Sequence, residues 1–343
     1  MQHVTQATPE AGNRLRRQQQ RLGRIILLGA CAAALAAVAT ALSIGSVDIP
    51  PREVIAHLFG DDGSVNDRII DTLRGPRALT AFAVGALLAL AGALMQVLLR
   101  NPLGDPYILG LSGGASSAVL AAMLLGLSAS WYPPAALGGA LLSTLIVFGL
   151  GARTTGQASD RLLLTGVVVA AGWAALISFV LSISPAAQLP GMLFWLMGDL
   201  SDADRPGIPV IVLLVGLLYA LWRARDLNLA AHGPLQAAAL GVNPLRLRNE
   251  LFFVAAALTA AAVTSAGSIG FIGLVTPHLV RLAGGRDHRI LLPASALAGG
   301  ALLVLADAVA RTLIAPMQLP VGVLTALLGV PVFLLLLHRG SRP

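Results

Sequence analysis

Ten apolar runs, each close to the length of one bilayer crossing, follow one another along this chain at about 25–44, 78–99, 107–127, 133–151, 161–183, 207–222, 250–267, 269–283, 290–311 and 320–338. The hydrocarbon core of a membrane is about 30 Å thick and takes roughly 20 apolar residues per helical crossing. A chain of 343 residues is filled by these spans, and no separate soluble domain fits beside them. Composition agrees: 56% of residues are hydrophobic, 11% are charged and the mean hydropathy is +0.81. Soluble proteins carry roughly 25% charged residues, so a water-soluble fold is excluded. The expected architecture is all-α: a polytopic membrane protein of about ten transmembrane helices. Residues 1–23 form an N-terminal tail, 24–339 a single transmembrane domain and 340–343 a C-terminal tail.

There is no lysine, so all 23 basic residues are arginines, and the pI is about 11.0. Nucleic-acid binding does not follow, because the arginines sit in short loops between apolar runs rather than in one basic, aromatic-studded patch. They report topology instead. With the N-terminus cytoplasmic, 17 arginines fall inside: five before residue 25, then Arg100, Arg153, Arg161, Arg223, Arg225, Arg246, Arg248, Arg281, Arg286, Arg289, Arg339 and Arg342. Six fall outside: Arg52, Arg68, Arg74, Arg77, Arg205 and Arg311. This bias obeys the positive-inside rule and places both termini in the cytoplasm. The 20 residues Ile25 to Ile44 exceed the usual 7–15 of a signal peptide and read as a retained anchor. Dense glycine and alanine let membrane helices approach closely, as a compact bundle requires. No internal repeat supports an inverted-repeat secondary transporter, which stays an alternative.

Several chemistries can be excluded. A P-loop needs a lysine to reach the β- and γ-phosphates, and none exists. One cysteine, Cys31, allows neither an internal disulfide nor a cysteine zinc site. The six histidines include no pair at the i, i+4 spacing of a zinc helix, so no metal or other cofactor is expected on this chain. Gly110-Leu-Ser112-Gly113-Gly114 satisfies Gly-x-Ser-x-Gly and is similar to the Gly-x-Ser-Gly of rhomboid intramembrane proteases, with His278 as an imaginable base. A hydrolase elbow, however, needs a strand-to-helix turn that a membrane bundle lacks. The same glycines make a Gly-x-x-x-Gly packing face.

Three connections are too long to be mere turns. Ser46 to Leu73 holds a short helix after Pro50-Pro51 and a polar stretch through Asp61, Asp62 and Asp67. Ser184 to Arg205 carries Met192 to Met197, which reads as an interfacial helix with Trp195 at headgroup depth. Arg223 to Asn249 is the longest inner polar segment. There Gly233-Pro234 turns the chain, Gln236 to Leu240 forms a short helix that Gly241 stops, and Asn243-Pro244 starts a second one. Two short helices at an angle would make a rigid cytoplasmic knob; the bland alternative is a solvated loop.

Arg74 and Arg77 flank Pro76 at the start of the second run, where the helix dipole disfavours cations. Something must offset them, either a local pair such as Asp71 with Arg74 or an acidic external partner. Arg311 has Asp307 four residues before it and could simply neutralise that carboxylate. On the inner side, Arg100-Asn-Pro-Leu-Gly-Asp-Pro106 is a stiff, non-helical turn that either gates a pore or closes a tight hairpin.

In this order, the segments resemble the permease subunits of the iron-chelate and vitamin B12 importers, the type II importer branch of ABC transporters. The matching stretches include Leu73-Arg-Gly-Pro-Arg77, Arg100-Asn-Pro-Leu-Gly-Asp-Pro106, Leu193-Phe-Trp-Leu-Met-Gly198, Leu240-Gly-Val242, Gly270-Phe-Ile-Gly-Leu-Val-Thr-Pro-His278, Asp287-His-Arg289 and Leu305-Ala-Asp-Ala-Val-Ala-Arg311. The resemblance implies ten helices per subunit and a second permease subunit, expected as a homodimer. It also implies two cytoplasmic ATPase subunits that carry the ATP, and a periplasmic binding protein, in a bacterial inner membrane. It carries over binding-protein docking to Arg74, Arg77 and Arg311, and a cytoplasmic gate to Asn101 and Leu103. ATPase coupling, within about 223–249, falls to Gly233, Leu240, Gly241, Val242 and Asn243. The chain itself is then not an enzyme. The expected cargo is a ferric siderophore first, with cobalamin and haem as alternatives. Gly75, where the family usually has a bulkier apolar residue, is a departure, as is the long N-terminal tail.

Overall fold

A computed structural model describes residues 9–45, 47–57, 59–60, 63–151, 158–201, 203 and 205–340. Asp61 and Asp62 of the outer polar stretch, Arg153 and Arg342 of the inner set, and the two chain ends lie outside the described residues. In chain order the α-helices are α1 Pro9–Ser43, α2 Pro51–His57, α3 Val65–Ile69, α4 Gly75–Leu98, α5 Leu111–Leu124, α6 Tyr132–Gly151, α7 Ala158–Ile183, α8 Leu189–Met197, α9 Gly207–Trp222, α10 Ala224–Ala230, α11 Pro234–Ala239, α12 Pro244–Ala266, α13 Ile272–Leu282, α14 His288–Thr312 and α15 Val321–Gly340. Among the described residues six helical stretches are long and apolar enough to cross a membrane alone. The 16-residue apolar α9 passes the same test only together with α10, from which it is bent by 61°, and α5, α13 and α15 are shorter apolar helices. These elements fall on the ten apolar runs in order, so the count of about ten holds approximately.

The bundle is built around α4, which is apolar on all sides and therefore buried on all sides, from Ala83 through Met95. It packs against α14, α12, α13 and α9, while α5, α6 and α7 form a second group. Small residues set the helix distances. A Cβ on Gly92 would overlap the carbonyl of Gly273 and sit 2.6 Å from its Cα, and a Cβ on Gly273 would meet the Leu88 carbonyl oxygen at 2.7 Å. The α4–α13 crossing is thus a backbone-to-backbone contact. Gly114 and Gly139 make the equivalent approach between α5 and α6.

One local expectation is corrected and two are located. Asn243 does cap a helix, its Oδ1 accepting from the Arg246 N–H at 3.1 Å, but that helix is the 23-residue α12 rather than a second short one. The second short element of the inner segment is instead α10, which precedes α11. The expected helix over Met192 to Met197 is present within α8, with Met192 fully buried and Trp195 packed against the cluster that includes Ala260 and Val263. The turn within 250–283 falls at residues 267–271, where Gly267 (φ 67°) and Phe271 (φ 68°) take left-handed conformations.

Candidate functional site

At the end of the bundle expected outside, the chain enters α4 through one π-helical turn, Ile70–Arg74. Pro76 has no N–H to donate back along the helix, and the Gly75 N–H bonds to the Ile70 carbonyl in a wider turn instead. A Cβ on Gly75 would lie 2.7 Å from that carbonyl oxygen, which accounts for a glycine where a larger residue was expected. The wide turn aims Arg74 sideways onto the C-terminus of α1. Its Nη1 donates to the carbonyls of Leu42 (2.7 Å) and Ser43 (3.1 Å), and Nη2 donates to that of Val47. Helix C-termini leave carbonyls without partners and carry the negative end of the dipole, so a guanidinium suits both needs. Asp71 is not the partner of Arg74; it faces His57 Nε2 at 3.0 Å, while His57 Nδ1 meets Asp67 at 2.8 Å. These carboxylates, Asp67 first, raise the His57 pKa above its ordinary 6.5. Arg74 is only 5% exposed, which corrects the picture of a freely presented guanidinium there.

Arg77 and Arg311 converge on Asp307, a carboxylate 2% exposed. Arg77 grips it with Nη2 to Oδ1 at 2.8 Å and Nε to Oδ2 at 3.0 Å, and reaches Gln318 Oε1 with Nη1 at 3.2 Å. Arg311 Nε stands 3.2 Å from Asp307 Oδ2 as an ion pair without hydrogen-bond alignment, and its Nη2 donates to the Ala41 carbonyl at 3.3 Å. Arg77 and Arg311 therefore share one carboxylate, Arg74 lies on the end of α1 within the field of Asp48, and the three arginines with these two carboxylates keep an excess of positive charge. The pairing of Arg311 with Asp307 is present, as its i, i+4 spacing allows.

At the opposite end, the turn after α4 is held by its own side chains. Asn101 Oδ1 accepts from the Leu103 N–H (2.9 Å), and the Asn101 carbonyl accepts from Gly104 N–H (2.9 Å). Asp105 Oδ1 caps the 3-10 turn Pro106–Leu109 by accepting from the Tyr107 N–H at 2.7 Å. Burial pushes the Asp105 carboxyl up to about 6. The Tyr107 hydroxyl then accepts from the Ile269 N–H at 3.1 Å, and Gln96 Nε2 donates to the Leu274 carbonyl at 3.3 Å. Arg281 closes the set by donating to Gln96 Oε1. The residues flanking the turn that carries Asn101 and Leu103 are thereby fastened to Ile269 in the 267–271 segment and to Leu274 and Arg281 of α13. Asn101 is exposed and Leu103 partly so.

The inner polar segment is braced on both flanks. Gly233 (φ 110°) and Gly241 (φ 86°) bound α11, and Leu240 is exposed at its end while Val242 packs against the core. On one flank Glu250 of α12 accepts from the Tyr219 hydroxyl (2.7 Å), from Arg246 Nε (2.8 Å) and from Arg223, which also holds Asp226 at 2.8 Å. Arg223 stands at the α9–α10 bend, so this carboxylate fixes the bend against α12. On the other flank Asn228 of α10 donates to Asp287 Oδ1 (2.8 Å) and accepts from His288 N–H (3.0 Å) and Nδ1 (2.6 Å) at the start of α14. Neither brace was foreseen; Arg246 and Glu250 at i, i+4 were the available signal. Ser112 and His278 make no hydrogen bond to one another among the described residues, so the dyad of a protease is not assembled.

Comparison with known proteins agrees with this arrangement. The FecCD transport family model matches residues 31–339. The vitamin B12 import system permease protein BtuC of Escherichia coli O139:H28 (strain E24377A) is 39% identical over 334 residues, covering 96% of this chain and 99% of the relative. Its Shigella flexneri counterpart has the same identity and coverage. A solved chain described as an inward-facing conformation of a metal-chelate type ABC transporter superposes with a TM-score of 0.83 at 31% identity, covering 92% of this chain and 99% of that one.

Proposed function

This chain belongs to the FecCD transport family and is a permease of the ABC importer type, and on that premise we propose that it passes a large metal chelate across the bacterial inner membrane, with cobalamin as the first candidate. The carrying observation is the 39% identity to vitamin B12 import permeases over nearly the whole of both chains. That observation moves cobalamin ahead of the ferric siderophore expected from the sequence. The metal-chelate type of the solved relative favours an iron chelate, siderophore or haem, as the second reading.

The chain is not itself an enzyme, since its relatives are permease subunits and ATP hydrolysis belongs to a separate subunit. In our reading two copies surround the pathway, and two ATPase subunits press on the α10–α11 knob through Gly233, Leu240, Gly241, Val242 and Asn243. Both termini are then cytoplasmic. The bracing of that knob on α12 and α14 supports this, because a lever transmits force only if its root is stiff. The Asn101–Leu103 turn opens and closes the inner mouth. At the outer mouth, the surplus charge of Arg74, Arg77 and Arg311 receives carboxylates of a periplasmic binding protein. Arg77 and Arg311 offer their outer edges, and Arg74 holds the frame. The test is uptake by proteoliposomes containing the assembled importer and its binding protein. Cobalamin should accumulate with ATP and without an ion gradient; gradient-driven uptake, or uptake of ferric chelates alone, would refute the corresponding part of the proposal.

A further inference from the structure

Helix α1 is longer than a membrane crossing, and its surplus carries positive charge. Its 35 residues extend about 52 Å at 1.5 Å per residue, against the roughly 30 Å of a hydrocarbon core. Ile25 to Ser43 suffices for the span, which leaves Pro9 to Arg24 as a helical extension. The extension carries Arg14, Arg16, Arg17, Arg21 and Arg24, and at about 100° per residue Arg21 and Arg24 stand about 60° apart on one face.

The same face continues into the membrane as Ile25, Leu28 and Leu35, exposed at 65, 70 and 68%. The opposite face, about 180° away, is where α1 meets the bundle: Gly23 lies against Ile290, and Ala34, Ala37 and Ala41 are buried. Arg21 and Arg24 are exposed and make no ion pair with a described residue. The arginines thus stand beneath the apolar residues that face away from the protein, not beneath those that pack on it. Arg24 adjoins the last apolar residue and Arg21 lies about 5 Å further along the axis, within the headgroup layer.

We propose that this face is a binding surface for the headgroups of anionic phospholipids in the cytoplasmic leaflet, which clamp α1 at the root of the α13–α14 connection. It rests on the orientation proposed above, with the N-terminus inside. Each arginine near an anionic surface adds to the attraction, and two at headgroup depth give a preference for anionic over zwitterionic lipid on the order of thirtyfold.

The experiment uses the assembled importer in nanodiscs, with Cys31→Ser and Gln18→Cys carrying an environment-sensitive fluorophore; Gln18 is exposed beside this face. Phosphatidylglycerol added to phosphatidylcholine should cut quenching of the fluorophore by acrylamide several-fold, and high salt should restore it, because surface attraction is screened. Replacing Arg14, Arg17, Arg21 and Arg24 by glutamine should abolish the lipid dependence. Equal quenching in both lipids, or lipid dependence that survives the four substitutions, overturns the proposal. So does protection that follows the ATPase subunit and ignores phosphatidylglycerol, which would mark a protein contact. If the quadruple variant fails to insert, the salt titration of the unsubstituted face decides. A membrane-impermeant thiol reagent that reaches the Gln18→Cys thiol from outside sealed spheroplasts would refute the orientation, independently of the lipid result.

Discussion

Asp307 is the residue on which the outer arginine cluster is balanced, and Asp307→Asn is the sharpest perturbation of it. The substitution keeps shape but replaces one acceptor oxygen with an N–H donor that faces the guanidinium of Arg77 or Arg311. Those two side chains are 14% and 12% exposed, so neither recovers full hydration when the carboxylate is lost. Removing one member of a buried ion pair costs about 3–5 kcal/mol. The partial exposure and the remaining bonds of Arg77 to Gln318 and of Arg311 to Ala41 place this case at the lower end, about 3 kcal/mol. An unfolding entropy of about 2.1 cal/mol/K per residue then converts that loss into a fall in Tm of about 4 °C for a chain of this length. Thermal unfolding of the purified protein in detergent measures it. The cycle with Arg77→Gln adds a second check: with its partner gone, Arg77 no longer needs the carboxylate, so the double variant should be less destabilised than the two single losses together by at least about 1 kcal/mol. A Tm within 1 °C of the unsubstituted protein, or strict additivity in the cycle, would show that Asp307 does not organise the cluster.

Three further outcomes follow from contacts at other depths. Gly92→Val places side-chain carbon where the Gly273 backbone lies, and the α4–α13 crossing has nothing flexible to yield; we expect at least about 3 kcal/mol of destabilisation and loss of the folded protein by size-exclusion chromatography, against near-neutral behaviour of Gly29→Val, which meets no neighbouring atom. Glu250→Gln removes the charge that collects Tyr219, Arg223 and Arg246, so binding-protein stimulation of ATP hydrolysis should fall several-fold with basal hydrolysis retained, and unchanged stimulation would remove the brace from the coupling route. His57 has a folded pKa above its ordinary 6.5, so the ordering it gives residues 51–74 is complete below that value and is lost as pH rises through the raised folded pKa. Amide exchange in that segment, corrected for intrinsic rate, should accelerate at alkaline pH and become pH-independent in His57→Gln.

The sequence carried the helices because a span announces itself through twenty consecutive residues. It carried the inner turn and α11 because proline and glycine act locally: Pro102, Pro106, Gly233 and Gly241 each constrain only their own neighbours. What it could not carry is pairing across distance. Arg74 binds backbone carbonyls of Leu42, Ser43 and Val47, which have no side-chain signature at all. Glu250 and Asn228 find partners 27 and 59 residues away, and a polar residue in a loop looks the same whether it is solvated or serves as a latch. The i, i+3 spacing of Asp71 and Arg74 was misleading for a related reason: the intervening π turn rotates the two apart and gives Asp71 to His57.

The two polar clusters lie at opposite ends of one helix. Asp287 begins α14 and holds α10 through Asn228, whereas Asp307, near the end of α14, holds Arg77 and Arg311. Twenty residues separate the two carboxylates, about 30 Å along the axis, which is the thickness of the hydrocarbon core. Charge is expensive at mid-membrane and cheap at either face, so the polar fastenings fall where α14 emerges, and its middle is left to packing against α4. A helix fastened this way behaves as a strut. A push on α10 reaches its inner end through hydrogen bonds, and its outer end is tied by ion pairs to α4 and, through Arg311, to the terminus of α1. In the reading proposed above, movement at the knob would displace the outer cluster without any change of fold between them, as a permease driven from one side of the membrane and loaded from the other requires.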